Sequence, residues 1–344
     1  MLVLLPFLIK VEVIMERKKK YYYSHFLTDR ERKICDLIID GLENRKKSIV
    51  LPGMNSSNAS IFKVLEVIDL DFPEYFFLNI AATKIWSMGL TKKIDIGYLY
   101  SIDEITVIEK QINQKCQTII NAISQESSLL NKEKILHNYL IKNIHYAVGD
   151  LSNPRLHNIV GALVDGIAVC EGYAKAFHYI CDKHDILCMV VTGIATNAFD
   201  GVRGPHAWNI VRVHEKGCCH VDVTWDSCFY HSGSSHYVFF NQTDQDMMAD
   251  HSWDRGKVPK CGVAVEEVIT YCESAKQFED AICSNIKGGR LIFNLKVKKN
   301  FSGNEEVLAT TQKIIRKHPE LMVKQYTVSY IAARRQIEYQ FEKF

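Results

Sequence analysis

The feature that most constrains this chain is an abrupt change of period after residue 184. From Cys170 to about His184, the residues Tyr173, Ala174, Phe177, Ile180 and Cys181 recur as one apolar stripe of a helix. Three runs of strand character follow. ILCMVVTGIA is continuously apolar and rich in branched residues, as a buried strand is. HAWNIVRV and CCHVDVTW are separated only by HEKG, which is too short for a crossover and predicts an antiparallel hairpin. The segment TNAFDGVRGP before the hairpin, like LPGMNSSN further upstream, has loop composition. A helix feeding a run of strands, one pair of them a hairpin, places the chain in the α+β class.

At 344 residues the chain has room for two or three domains. Helical patterns cover about 28–44, with Thr28 or Asp29 as cap, then 61–68, 103–124 and 131–143, and KKIDIGYLYSI has strand character. Beyond residue 264 the order is a helix near 274–286, the strand RLIFNLKV, a helix near 304–317 and the strands YTVSYI and RQIEYQF. The expected division is a mainly helical region at 16–125, a core at 126–255 and a small α+β domain at 262–344.

Lys and Arg number 42 against 40 Asp and Glu and are spread along the chain, so no concentrated basic face for nucleic acid is expected. The short run ERKKK near the start has the composition of a solvated tail. The 11 cysteines are irregularly spaced and contain no CxxC pair, which suits a reducing, cytoplasmic setting better than a disulfide scaffold. Cys218, Cys219 and His220 are contiguous, but neighbours on a strand point to opposite faces, so no metal site is expected there. The opening MLVLLPFLIKVEVIM lacks a basic leader and a small-residue cleavage site, is interrupted by Lys10 and Glu12, and is too short to span a bilayer. No integral membrane segment is expected.

Cys170, His206 and Asp222 supply, in that order, the groups that thiol chemistry needs. A free thiol is mostly protonated at neutral pH. A helix N-terminus offers the thiolate unpaired N–H groups and a favourable dipole. An imidazolium stabilises the anion further, and a carboxylate on the far side of the imidazole fixes its orientation. The hairpin makes this testable. A two-residue loop centred between Glu215 and Lys216 sets Asp222 opposite Asn209, on the wrong face. A three-residue or bulged connection sets it opposite Trp208, with His206 its diagonal neighbour at roughly 7–8 Å. The constellation therefore requires a bulge or an odd-length turn. Asp222 also lies inside an apolar run and needs a partner if buried. Glu171 suits the first turn of its helix, and Asp226 a cap for the turn after the strand. Gly172 suits a close backbone approach, and Cys181 and Cys188 read as core. His220 shares the strand face of Asp222 and reads as a packing or surface residue.

The motifs AVCEGYAKAF, HAWNIV and HVDVTWD resemble those of the transglutaminase-like superfamily in its bacterial branch, densely from about 132 to 240. KEKILHNYLIKNIHYA is similar to the family's lead-in helix. The resemblance implies a papain-like core in which the cysteine helix packs on an antiparallel sheet. It also implies Cys170 as nucleophile, His206 as general acid/base and Asp222 as its orienter. Two departures are Cys218-Cys219 in place of an aromatic pair and Val160-Gly161-Ala162-Leu163 in place of a segment that begins with tyrosine. The function expected is acyl transfer from peptide or glutamine-type amides through a thioester, hydrolytic rather than crosslinking, with the Cys170 N–H as first oxyanion donor. The alternatives are a true transglutaminase with an amine acceptor, or a non-catalytic peptide-binding module that keeps the fold. Trp208 and Trp225 read as packing residues ahead of substrate platforms, with Trp208 placed to shield the His206 imidazole from water, and Trp208, Trp225 and Glu171 are the candidates to line the substrate cleft. The expected partner is a protein or peptide substrate, with no cofactor.

Overall fold

The computed structural model describes residues 23–51, 56–89, 91–197, 201–214, 217–231, 237–262, 269–298, 301–331 and 334–344. The apolar opening segment, the ERKKK run and the Glu215-Lys216 turn lie outside them. Helix α1 (Asp29–Glu43) starts where Thr28 and Glu31 form a reciprocal capping box. Strand β1 (Ser48–Leu51), helix α2 (Asn58–Asp71) and strands β2 (Lys84–Met88) and β3 (Thr91–Asp95) follow, with the strands ordered β1-β3-β2 and antiparallel. Helices α3 (Ile102–Ser124) and α4 (Leu129–Asn143) lead to two short parallel strands, β4 (His145–Tyr146) and β5 (Ile167–Ala168).

Helix α5 (Cys170–Asp182) is buried from Gly172 to Cys181. Its apolar stripe joins a single core with Ile34, Leu65, Ile112 and Leu140 of the four preceding helices. At about 1.5–3 kcal/mol for each fully buried large apolar side chain, Tyr173, Phe177 and Ile180 hold α5 firmly against that core. Gly172 is needed for the packing: a Cβ there would sit 2.5 Å from the Leu156 carbonyl oxygen. Polar ties complete the attachment. Lys175 Nζ lies 2.8 Å from both carboxylate oxygens of Asp69, and His178 Nδ1 is 3.2 Å from the Leu70 carbonyl.

The other face of α5 covers an antiparallel sheet ordered β8-β7-β6-β9, built from β6 (Leu187–Thr196), β7 (Arg203–His214), β8 (Gly217–Val221) and β9 (His251–Trp253). Asn209 on β7 clamps helix to sheet by donating to the carbonyls of Ala174 and Met189. Two expectations need correction here. TNAFDGVRGP is not loop throughout, because β7 already begins at Arg203, paired with Thr196. CCHVDVTW is not one strand either. Strand β8 ends at Val221, and helix α6 (Val223–His231) begins because Asp222 Oδ1 accepts the Trp225 N–H at 3.1 Å, three residues on, as an N-cap does. Asp226 accordingly sits inside α6 rather than capping a turn.

The hairpin carries the required irregularity. Asn209, Ile210 and Val211 pair with Val221, His220 and Cys219, and the register then shifts before His214 pairs with Gly217. One further step along that ladder sets Asp222 opposite Trp208.

After the short helix α7 (Asp244–Met247), a second sheet is ordered β10-β11-β13-β12. It contains β10 (Ile269–Cys272), β11 (Ile292–Val297), β12 (Val323–Ile331) and β13 (Gln336–Lys343), with helices α8 (Ala275–Lys287) and α9 (Asn304–Lys317). It has its own apolar cluster around Phe278, Ile282, Leu295 and Tyr339. Among the described residues no helix is long and apolar enough to cross a membrane.

Candidate active site

Cys170 is the first residue of α5 and is partly exposed. Helices α1 and α3 begin on Thr28 and Ser101 with side-chain caps, whereas the residue before α5 is Val169, which has no capping group. The first N–H groups of α5 are therefore left for another acceptor. Val169 is fixed by its own N–H to the Leu156 carbonyl at 3.0 Å. Tyr173 Oη, one turn on, donates to the Ile144 carbonyl at 2.6 Å and lies 3.0 Å from Ser227 Oγ. These ties set the height of the helix start above the sheet.

His206 stands on β7 directly opposite Gly193 of β6. A side chain at Gly193 would collide with the Ser252 carbonyl at 2.3 Å and with the Trp208 ring. The His206 Nε2 lies 2.7 Å from Asp222 Oδ2, which leaves Nδ1 for the thiol of Cys170, the second group that hydrogen-bonds this ring. Burial disfavours a charged imidazole here, but the Asp222 carboxylate and then Cys170 outweigh it and raise the His206 pKa to about 10. Asp222 is fully buried. Burial pushes its pKa up, and His206 together with His251 brings it down well below the ordinary carboxylate range. Asp222 thus divides its oxygens: Oδ1 caps α6, and Oδ2 takes His206 and, at 3.3 Å, His251 Nε2.

The structure brings Cys170, His206 and Asp222 together and distributes the other candidates differently. Trp208 is 1% exposed and Trp225 8%, so neither forms an open wall of the cleft. Their rings pack on the imidazole of His206, with centroids 6.1 and 5.0 Å away, and shield it from water. Glu171 is held by Lys175 at 2.8 Å and His157 at 3.1 Å, which overcome its burial and lower its pKa. It is an ion-paired residue beside Cys170. His220 is buried rather than at the surface.

Three features were not anticipated from sequence. Tyr146, 40% exposed, is paired with Ala168 on the adjoining strand. Its phenol is pushed up to about 12 by burial and by the neighbouring Cys170. Asp226 is fully buried and accepts the N–H groups of Val238 and Phe239, both at 2.9 Å, and His137 Nε2 lies 2.9 Å from its other oxygen. His251 touches Asp222 from the three-residue strand β9, which is too short to show a period in the sequence.

Among the described residues, two groups of side chains have the composition of metal ligands: His206, Asp222 and His251, and His220, Asp244 and Cys261. Neither is arranged as a centre. Two ligands about 2.0–2.2 Å from a tetrahedral ion stand more than 3 Å apart, whereas His206 and Asp222 are at hydrogen-bond distance. Trp208 Nε1 can only donate, and it donates to His220 Nδ1 at 3.0 Å. The remaining nitrogen, Nε2, must therefore carry the proton that it shares with Asp244 at 2.9 Å.

A partly exposed thiol at an uncapped helix start, facing an imidazole held by a buried carboxylate, is the constellation of a cysteine-enzyme fold. Residues 117–223 match the model of the transglutaminase-like superfamily. Among solved structures, similarity is found to a TGase, with 12% identity over 52% of this chain and 50% of that one and a TM-score of 0.30. It is also found to a proposed cysteine protease from Cytophaga hutchinsonii, with 10% identity over 41% and 61% and a TM-score of 0.27. A proposed protease from Parabacteroides distasonis gives 8% identity over 43% and 39% and a TM-score of 0.23. The chain thus spans between about two fifths and three fifths of the length of these structures. No curated protein matches it.

The raised pKa of His206 fixes the direction of a pH experiment. A reaction that needs the imidazolium loses it as pH rises through the folded value, so the alkaline limb of the rate profile is expected near pH 10 rather than near 6.5. Asp222→Asn removes the main support of the charge, and the limb should move down by more than one pH unit. An alkaline limb at the same pH in both proteins would show that His206 does not carry it. The stability sign agrees. The contribution of Asp222 is present above 3.8, while that of His206 is full below 6.5 and fades towards 10.

Proposed function

We propose that the protein is a cysteine acyl-transfer enzyme that hydrolyses peptide or glutamine-type amides. The observation that carries this is the continuous chain from Cys170 through His206 to Asp222, with Cys170 partly exposed and both its partners buried. The Cys170 thiolate attacks the amide carbonyl, and a carbon–sulfur bond forms. His206, as imidazolium, gives its proton to the departing nitrogen, so ammonia or an amine leaves and a thioester remains. The neutral imidazole then takes a proton from water, whose oxygen attacks the thioester. The acid is released, and the proton returns to the Cys170–His206 pair. Asp222 keeps Nε2 protonated throughout and so aims Nδ1 at the sulfur. The Cys170 backbone N–H is available to the oxyanion in each step.

Hydrolysis is favoured over transfer to an amine because Cys170 is partly exposed, which gives water a path to the acyl group. The test is to incubate wild type and Cys170→Ala with a mixed set of peptides, with and without a primary amine, and to identify products by mass spectrometry. Cys170-dependent acid products that persist with the amine present are expected. Amine adducts as the main product would replace hydrolysis by transamidation. Peptide retained intact by both proteins would replace catalysis by binding.

A further inference from the structure

A line of buried polar side chains continues past Asp222 and ends in the second sheet. His251 Nε2 lies 3.3 Å from Asp222 Oδ2, and its Nδ1 lies 2.5 Å from Asp250 Oδ1. Asp250 is held in turn by Arg334, with Nη2 at 2.7 Å from one oxygen and Nε at 3.2 Å from the other. Arg334 precedes β13, and its side chain is 1% exposed. Its guanidinium stacks 3.7 Å above the ring of Phe239, which also packs on Trp225 and His251. The fork of Arg334 is thus fixed on both edges and on its face, and an Arg–carboxylate pair so held is geometrically specific. Gln242 Oε1 accepts from Arg334 Nη1 at 3.3 Å and from Lys296 of β11 at 2.9 Å, whereas Gln336 of β13 makes a separate contact between the second sheet and the core, its Nε2 donating to the Tyr237 carbonyl at 3.1 Å.

We propose that Arg334 is a positioning residue for the active site: through Asp250 and His251 it fixes the Asp222 carboxylate that orients His206, so the second sheet completes the catalytic machinery. This rests on Cys170 being the reactive thiol and on His206 and Asp222 activating it, but not on which amide is cleaved. His251 presents a nitrogen to each of two carboxylates, so it transmits the placement of one to the other. Without Arg334, Asp250 has lost the guanidinium that fixes both its oxygens, and His251 is held against Asp222 only by its ring packing on Trp208, Trp225 and Phe239 and by a carboxylate that is itself less fixed. The expected result is a less well-aimed His206, a lower kcat and an unchanged KM.

The test uses the full chain and two readouts. One is kcat and KM for a peptide substrate turned over by wild type. The other is the rate at which iodoacetamide alkylates Cys170 near pH 6, which needs no substrate. Arg334→Met is expected to lower both kcat and the alkylation rate about ten-fold at unchanged KM, and Arg334→Lys to recover part of the loss. Asp250→Asn, which keeps the shape, should behave as Arg334→Met does and serves if that variant does not fold. Gln336→Met breaks a contact of the second sheet that shares no partner with Arg334, the hydrogen bond to the Tyr237 carbonyl, and is the control: it should lower the melting temperature and leave the alkylation rate at the wild-type value. Wild-type alkylation in folded Arg334→Met or Asp250→Asn would overturn the proposal. So would an equal loss in Gln336→Met, which would make docking of the sheet, not the Arg334 line, responsible. A wild-type protein that alkylates rapidly at Cys170 but cleaves no amide would defeat the hydrolase reading alone, and the alkylation rates would still decide the role of Arg334.

Discussion

Cys170→Ala is expected to fold as wild type does and to lose at least about 10³-fold in amide turnover. The reasons are local. Cys170 is partly exposed, and alanine is well tolerated in a helix. The ties that hold α5, from Tyr173, Lys175, His178 and Asn209, do not involve the sulfur. His206 keeps its bond to Asp222, so the imidazole stays in place with nothing to activate. The measurement is a melting curve beside a progress curve on the same preparation. Alkylation at pH 6 should fall with it, although many other thiols remain, since Cys35, Cys116, Cys181, Cys188 and others are buried. Full turnover by Cys170→Ala would remove the thiol from the chemistry.

The largest effect on stability is expected at Asp226, not at the nucleophile. Asp226→Ala strands the N–H groups of Val238 and Phe239 and the Nε2 of His137, all in the interior. Breaking a buried pair from one side costs about 3–5 kcal/mol, and each stranded donor about 1–3 kcal/mol. A loss of about 4 kcal/mol is therefore expected by urea unfolding. Asp226→Asn, which keeps one carbonyl oxygen for the two N–H groups, should lose less than half of that. Burial raises the Asp226 pKa despite His137, which is why the neutral amide is a mild replacement. A change under 1 kcal/mol in Asp226→Ala would mean that Val238 and Phe239 find other acceptors.

The parts of the molecule legible in the sequence are those with long periods or with a steric requirement. The stripe of α5, the apolar run of β6 and the close joint of β7 and β8 carry their own evidence. The bulge could be anticipated because His206 and Asp222 cannot share a face without one. What escaped is short or depends on contacts made at a distance. The four residues of β1 and the five almost wholly exposed residues of β2 hold too few buried positions to show a pattern. The end of β8 was missed because Val223, Thr224 and Trp225 favour strands, while the cap made by Asp222 Oδ1 overrides that preference. Trp208 and Trp225 read as packing residues ahead of cleft walls, and they are buried, but the depth of that burial is decided by β9 and Phe239, far along the chain. His251, Asp250 and Arg334 carry no common motif, and only the fold brings them to one line.

The shared core around α5 has a consequence for where this protein can be divided. The segment with the family likeness runs from 117 to 223, but the helix that carries Cys170 is tied through Lys175 to Asp69 and through His178 to the Leu70 carbonyl, and Asp222 is bonded through its N–H to the Phe239 carbonyl. The matched segment and the unit of folding therefore have different edges. The smallest piece that can hold this site together is set by the packing of α1 to α4 at one end and by the contacts of Phe239 and His251 with Asp222 at the other.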